Sequence, residues 1–177
     1  MKVSRTVLLL PLLSLLACSG APSGVEPVRG FAVDRYLGKW YEIARLDHSF
    51  ERGLEQVTAE YSLRPDGLVR VVNRGFDPSR GKWKEAEGRA KFAGDRDVAS
   101  LAVSFFGPFY GGYNVIELDR EGYSWALVCG PNRKYLWILA RAPRLDPAVE
   151  QRLMARARSL GFDVDRLIRV RQESAAK

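Results

Sequence analysis

One histidine, His48, and two cysteines, Cys18 and Cys129, are all that 177 residues offer for soft-metal binding or nucleophilic catalysis. Zinc-type sites need histidines or cysteines in pairs at short spacing, and the chain has no such pair. A thiol–imidazole couple would require Cys129 to meet His48 in space. A surface histidine in the charged stretch 47–52 and a buried, inert thiol in an apolar strand account for both residues more simply. No glycine-rich phosphate-binding loop is present. The longest apolar run, Val7 to Leu16, is about half the roughly 20 residues that a bilayer-spanning helix needs. Nucleic-acid motifs are absent too, although the formal charge is +7.

The first residues read as an export signal. Lys2 and Arg5 form a short positive region, and the apolar run after them has signal-peptide length. It ends in Leu15-Leu16-Ala17-Cys18, which resembles the cleavage site of bacterial lipoproteins. That resemblance implies removal of residues 1–17, a diacylglycerol on the Cys18 thiol and an acylated (palmitate-type) amine. An ordinary cleavable signal with a chance cysteine is the alternative. Ser19, in place of an inner-membrane-retaining aspartate, favours the outer membrane. Several acyl chains give stable anchoring at roughly 0.8 kcal/mol per buried CH₂. With Cys18 acylated, Cys129 has no disulfide partner in the chain. Losing Lys2 and Arg5 lowers the formal charge from +7 to +5. The excess falls late, at Arg152, Arg156, Arg158, Arg166, Arg169 and Arg171. It reads as a solvated face, with attraction to anionic lipid as the alternative.

Residues 18–30, rich in Ser, Gly, Pro and Ala, read as an acylated N-terminus and tether. Strand-sized runs follow. Gln56–Leu63 places Val57, Ala59, Tyr61 and Leu63 on one parity and polar residues on the other, the pattern of a half-buried strand. Arg64-Pro65-Asp66-Gly67 and Asp77-Pro78-Ser79-Arg80-Gly81 are turns by proline and glycine chemistry. Gly111-Gly112 also reads as a turn between strands. Counting from Lys39–Asp47 through 56–63, 68–76, 82–92, 98–106, 111–119, 123–129 and 135–141, the pattern predicts eight strands. Eight is a number that suits a closed meander. The period then changes. Asp146 is an N-cap with Pro147 behind it, Val149, Leu153, Ala157 and Leu160 share one helical face, and Gly161 stops the helix. Residues 164–170 read as a short final strand, and 173–177 as a tail.

Two distant stretches organise this pattern. Gly38-Lys39-Trp40 sets a glycine two places before a tryptophan at the start of the first strand. Tyr135-Leu136-Trp137-Ile138-Leu139-Ala140-Arg141 ends on an arginine that could lie over that tryptophan. With Leu118-Asp119 and Tyr123 between them, these match the three signatures of the lipocalins. Trp40-Tyr41-Glu42-Ile43-Ala44-Arg45, the run 103–113 and the run 126–141 resemble the bacterial outer-membrane lipoprotein lipocalins, with apolipoprotein D more distant. The resemblance spans about residues 30–172. It implies an all-β fold: an eight-stranded antiparallel up-and-down barrel, a turn of helix at 31–37 across its closed end, and one C-terminal α-helix outside. It implies an outer-membrane location, lipid-anchored in a Gram-negative cell with the barrel in the periplasm, and no cofactor.

An apolar lumen without a catalytic constellation suits a hydrophobic guest held by burial, at roughly 25 cal/mol per Å². The resemblance names fatty acids and lysophospholipids as that guest. Tyr61, Phe105, Tyr113 and Trp137 are the candidate lining residues; Gly38, Trp40, Asp119 and Arg141 are the structural signature. Two other readings stand beside this one. One is a filled barrel that holds protein partners; the other is an enzyme acting through Cys129. Monomer and homodimer both remain open at this stage.

Overall fold

The computed structural model describes residues 20–172. The expected signal peptide, Cys18 and the tail 173–177 lie outside the described residues. One turn of helix, α1 (Val33–Tyr36), precedes eight consecutive antiparallel strands. They are β1 (Gly38–Leu46), β2 (Glu55–Leu63), β3 (Val69–Asp77), β4 (Lys82–Phe92), β5 (Ser100–Phe106), β6 (Phe109–Leu118), β7 (Trp125–Cys129) and β8 (Leu136–Ala140). Each pairs with the next, and β1 pairs with both β8 and β2, so the sheet closes into a barrel. Closure removes most of the free edge that a meander of short strands would otherwise offer to other chains.

Helix α2 (Pro147–Ser159) begins where proline chemistry places it. The Asp146 carboxylate accepts from the Ala148 amide at 2.8 Å and the Val149 amide at 3.1 Å, and Pro147 fills the first turn. After Leu160, Gly161 takes φ +81°, the left-handed conformation that ends the helix. The predicted final strand is shorter than 164–170. A 3₁₀ turn occupies Val164–Arg166, and β9 (Leu167–Arg169) pairs with β1 as a ninth strand.

Gly111-Gly112 is not a turn. Both glycines lie inside β6, opposite Val103 and Ala102, and the chain reverses at Gly107-Pro108 instead. The glycine pair misled because composition alone cannot distinguish a turn from a bare stretch of strand; β5 needs a partner of its own length, and β6 supplies it through the glycines.

Alternation of side chains sorts the core into two layers. Trp40, Tyr61, Val69, Val71, Leu101, Val115, Val128 and Leu139 cluster inside the barrel. Ile43, Leu46, Leu127, Ile138 and Ala140 face outward against Leu153, Ala157 and Phe162 of the helical segment. The two ends of the barrel differ. At the base lie α1 and the β2–β3, β4–β5 and β6–β7 connections; at the mouth lie the β1–β2, β3–β4, β5–β6 and β7–β8 connections. β4 pairs with β5 only along Arg89–Phe92, so towards the mouth the β3–β4 hairpin stands clear of β5.

Candidate functional site in the barrel lumen

The base is plugged by the signature residues. Trp40 is fully buried, and its indole N–H donates to the Tyr36 carbonyl at 2.8 Å. The Arg141 guanidinium lies 4.0 Å over the Trp40 ring. It also donates to the carbonyls of Lys39 (2.9 Å), Arg35 (2.8 Å) and Tyr123 (3.2 Å), tying β1, α1 and the β6–β7 turn together. Gly38 has φ +89°, and a Cβ there would stand 3.4 Å from Arg141 Nη1. Asp119 builds the turn beside them. It accepts from the Ser124 hydroxyl and from the Gly122 and Ser124 amides, which together hold its carboxyl below the usual range.

Above the plug three tyrosines meet in the lumen. The hydroxyls of Tyr36 and Tyr113 are 2.7 Å apart, and the Tyr61 hydroxyl donates to that of Tyr113 at 2.9 Å. Burial pushes all three phenols well above their ordinary value. Beside them is an apolar cavity lined by Phe31, Val33, Leu37, Leu101, Val103 and Tyr113, with free space of about 10 Å³. That is room for about one water.

Nearer the mouth the lumen carries buried charge. A bulge in β1 between Glu42 and Ala44 changes the parity of the strand. Glu42, opposite Leu139, and Arg45, opposite Trp137, therefore both point inward. Arg45 donates to Glu42 Oε1 at 2.7 Å and to the carbonyls of Glu51 (2.8 Å) and Leu54 (3.2 Å). The Trp137 indole donates to Glu51 Oε2 at 3.1 Å. His48 Nε2 lies 3.1 Å from the same oxygen but makes no hydrogen bond with it. Burial, and then the neighbouring Glu51 carboxylate, push Glu42 well above the usual carboxylate range, while Arg45 pulls the other way. Three buried nitrogens of this cluster make no hydrogen bond: Arg45 Nε and both ring nitrogens of His48.

All four residues expected in the lining pack on the inner cluster: Tyr61 within it, and Phe105, Tyr113 and Trp137 partly exposed against it. Phe105 occupies the space left by the missing side chain of Gly88; a Cβ there would meet its ring at 2.8 Å. His48 is not on the surface as expected. It is 6% exposed, beneath the stacked ring of Phe50 at 3.9 Å. Its charged sequence neighbours suggested solvent, but the β1–β2 loop folds it over the lumen.

Glu42, Arg45 and Glu51 escaped the sequence reading. Glu42 alone gave a signal, charge on the parity of Trp40 in a largely apolar strand; Arg45 is on the other parity until the bulge turns it inward, and Glu51 lies in the β1–β2 loop. Cys129 does not meet His48. It lies in the outer layer under the helical segment, and burial, only partly offset by Arg133, pushes its thiol up to about 12. The late arginines are largely paired on the surface: Arg156 with Glu117, Arg158 with Asp165, and Arg169 with Glu150.

A family model described as a lipocalin-like domain matches residues 31–172. The chain is 58% identical over 160 residues to "Outer membrane lipoprotein Blc" of Escherichia coli (strain K12), covering 89% of this chain and 90% of that one. To the protein of the same name from Citrobacter freundii it is 56% identical over 163 residues, 91% and 92% of the two chains. Among solved structures, insecticyanin from the tobacco hornworm Manduca sexta superposes with a TM-score of 0.70 at 23% identity, over 89% of each chain. At that identity the likeness concerns the fold alone.

Proposed function

The chain belongs to the lipocalin family, in its branch of bacterial outer-membrane lipoproteins, and on that premise we propose that it binds single-chain lipids in the lumen of its barrel. Fatty acids and lysophospholipids are the proposed guests, and an acylated Cys18 the proposed anchor. The observation that carries the reading is the pairing of an apolar aromatic lining with unpartnered buried donors near the mouth. Tyr61, Phe105, Tyr113 and Trp137 offer the surface that an acyl chain would bury. Arg45 Nε and the His48 ring offer donors to an anionic head group. An acyl chain would enter by moving the half-exposed Phe105, Tyr113 and Trp137, since the free space beside the tyrosines holds only about one water.

That small free space also favours a second reading, a filled barrel whose task is to hold partner proteins. Titration with a long-chain fatty acid separates the two. Lipid binding predicts a saturable change in tryptophan emission, reduced in a folded Trp137→Ala variant, and a lipid that co-purifies and is visible by mass spectrometry. A flat titration and a lipid-free protein would favour the filled barrel. An enzymatic role through Cys129 has little support, because a thiol raised to about 12 is protonated at neutral pH. Alkylation of the unfolded and folded protein tests this directly.

A further inference from the structure

The lead-in to the barrel is not a free tether once it reaches Pro22. It is laid along the outer wall and fixed at both ends. At the base, the Val28 amide donates to the Val115 carbonyl at 2.8 Å, the Ala99 amide donates to the Val28 carbonyl at 2.9 Å, and Arg29 bridges to Val98. At the mouth, Pro22 and Val25 are buried in a turn closed by the Val25 amide on the Pro22 carbonyl at 2.9 Å. Arg133, in the β7–β8 connection, donates to the Ser23 carbonyl at 2.8 Å and to the Leu160 carbonyl at 2.7 Å. Ser23 is therefore held level with the C-terminal end of α2.

The N-terminal end of that helix adjoins the base, where Asp146 and Val149 line one groove with Ser124 and Arg141. Thirteen helical residues separate the two levels by about 20 Å. Cys18 lies four residues before Pro22, which spans at most about 14 Å even when fully extended. A residue on so short a lead cannot reach past the base. An acyl group carried on that lead has the mouth side of the barrel within its reach.

The mouth is also where the exposed aromatic surface lies. Phe106 and Phe109 at the β5–β6 turn are 81% and 79% exposed, Phe50 on the β1–β2 loop 59%, and Trp83 on the β3–β4 hairpin 46%. These four come from three separate connections at one end of the barrel, with exposed Lys82 and Lys134 beside them. Aromatic rings next to lysines are the composition that settles at a lipid interface carrying negative charge.

We propose that the open end of the barrel faces the membrane, docked on a phospholipid surface by Phe50, Trp83, Phe106 and Phe109 around the point where the acylated N-terminus inserts. Lipid then passes between bilayer and lumen without crossing bulk water. The orientation rests on the reading of Cys18 as the acylated residue. The test uses full-length acylated protein in vesicles of zwitterionic phospholipid with an anionic fraction. A fluorophore is attached at the mouth through Phe109→Cys or at the base through Asp66→Cys; Cys129 is fully buried and stays unlabelled. Lipids bearing a nitroxide on the acyl chain should quench the mouth label strongly and the base label not at all. Mass measurement of the N-terminal peptide separates the ways of failing. An unacylated terminus overturns the anchor and the orientation together. An acylated protein whose mouth label escapes quenching, or whose base label is quenched as much, overturns the orientation alone.

Discussion

Arg141 covers the ring of Trp40 at 4.0 Å across 101 positions of sequence, and the same guanidinium reaches three backbone carbonyls. The strand that ends the meander is thereby fastened to the strand that begins it, at the end where α1 crosses the barrel. Arg141→Ala should lower unfolding stability by on the order of 2–3 kcal/mol, from the lost cation–π contact and the freed carbonyls. Arg141→Lys should recover only a part, because an ammonium neither stacks like a plane nor spans three acceptors. Equal denaturation midpoints for the three proteins would show that the clamp does not act as argued.

The hydroxyl of Tyr113 is the centre of the tyrosine trio. Tyr113→Phe removes it and leaves the hydroxyls of Tyr36 and Tyr61 buried without their partner, at a cost of about 1–3 kcal/mol. The trio also sets a pH dependence. Because burial raises the three phenols, the folded state holds their protons more tightly than the unfolded state. Their contribution is therefore complete below the unfolded value of about 10 and is lost as pH rises beyond it. Absorbance at alkaline pH should show three tyrosines that ionise only on unfolding, and three fewer such tyrosines if the trio is loose in solution.

Much of this arrangement was legible in the sequence, and the reasons are particular. Val57, Ala59, Tyr61 and Leu63 alternate cleanly, so β2 and its inner parity could be read directly. Asp146, Pro147 and Gly161 bracket α2 by capping chemistry that needs no tertiary context. Gly38, Trp40 and Arg141 carried the closure of the sheet. What stayed hidden depends on backbone irregularity or on burial. The bulge after Glu42 reverses the parity of Arg45, and a strict period of two would have sent that charge to the helix side. His48 is buried by the course of a loop, which periodicity does not describe. Pro22 and Val25 sit in a stretch whose composition is that of a linker, yet the outer wall covers them.

The buried charges near the mouth give opposite predictions for their two partners. Removing Arg45, as in Arg45→Met, leaves the Glu42 and Glu51 carboxyls facing each other without a counter-charge, and should cost about 3–5 kcal/mol. Glu42→Gln keeps the shape and removes one of the two competing charges. The native state holds the Glu42 proton more tightly than the unfolded chain does. This residue's contribution to stability is thus full below the ordinary carboxylate range and is lost as pH rises through its elevated folded value. The stability of the Gln variant relative to the parent should therefore increase from acid towards neutral pH. A difference that stays constant across that range, measured by chemical denaturation, would show that Glu42 titrates alike in the folded and unfolded protein.

Gly88 decides how closely β5 approaches the β3–β4 hairpin. A Cβ at this position would stand 2.6 Å from the Ser104 carbonyl oxygen and 2.8 Å from the Phe105 ring. The ring could rotate away, but the carbonyl belongs to the backbone of β5, so the strand itself must shift. Gly88→Ala should therefore destabilise the barrel by about 1–3 kcal/mol, the usual range for an overpacked site, despite the better conformational restriction of alanine. Displacing Phe105 also changes the lining of the lumen just where β4 and β5 part. A lipid that packs on Phe105 should bind the folded variant more weakly, while one held only by the deeper wall should bind unchanged. An alanine variant with the parent's melting temperature and the parent's lipid affinity would mean that β5 moves aside freely, and that Phe105 is not fixed by the glycine beneath it.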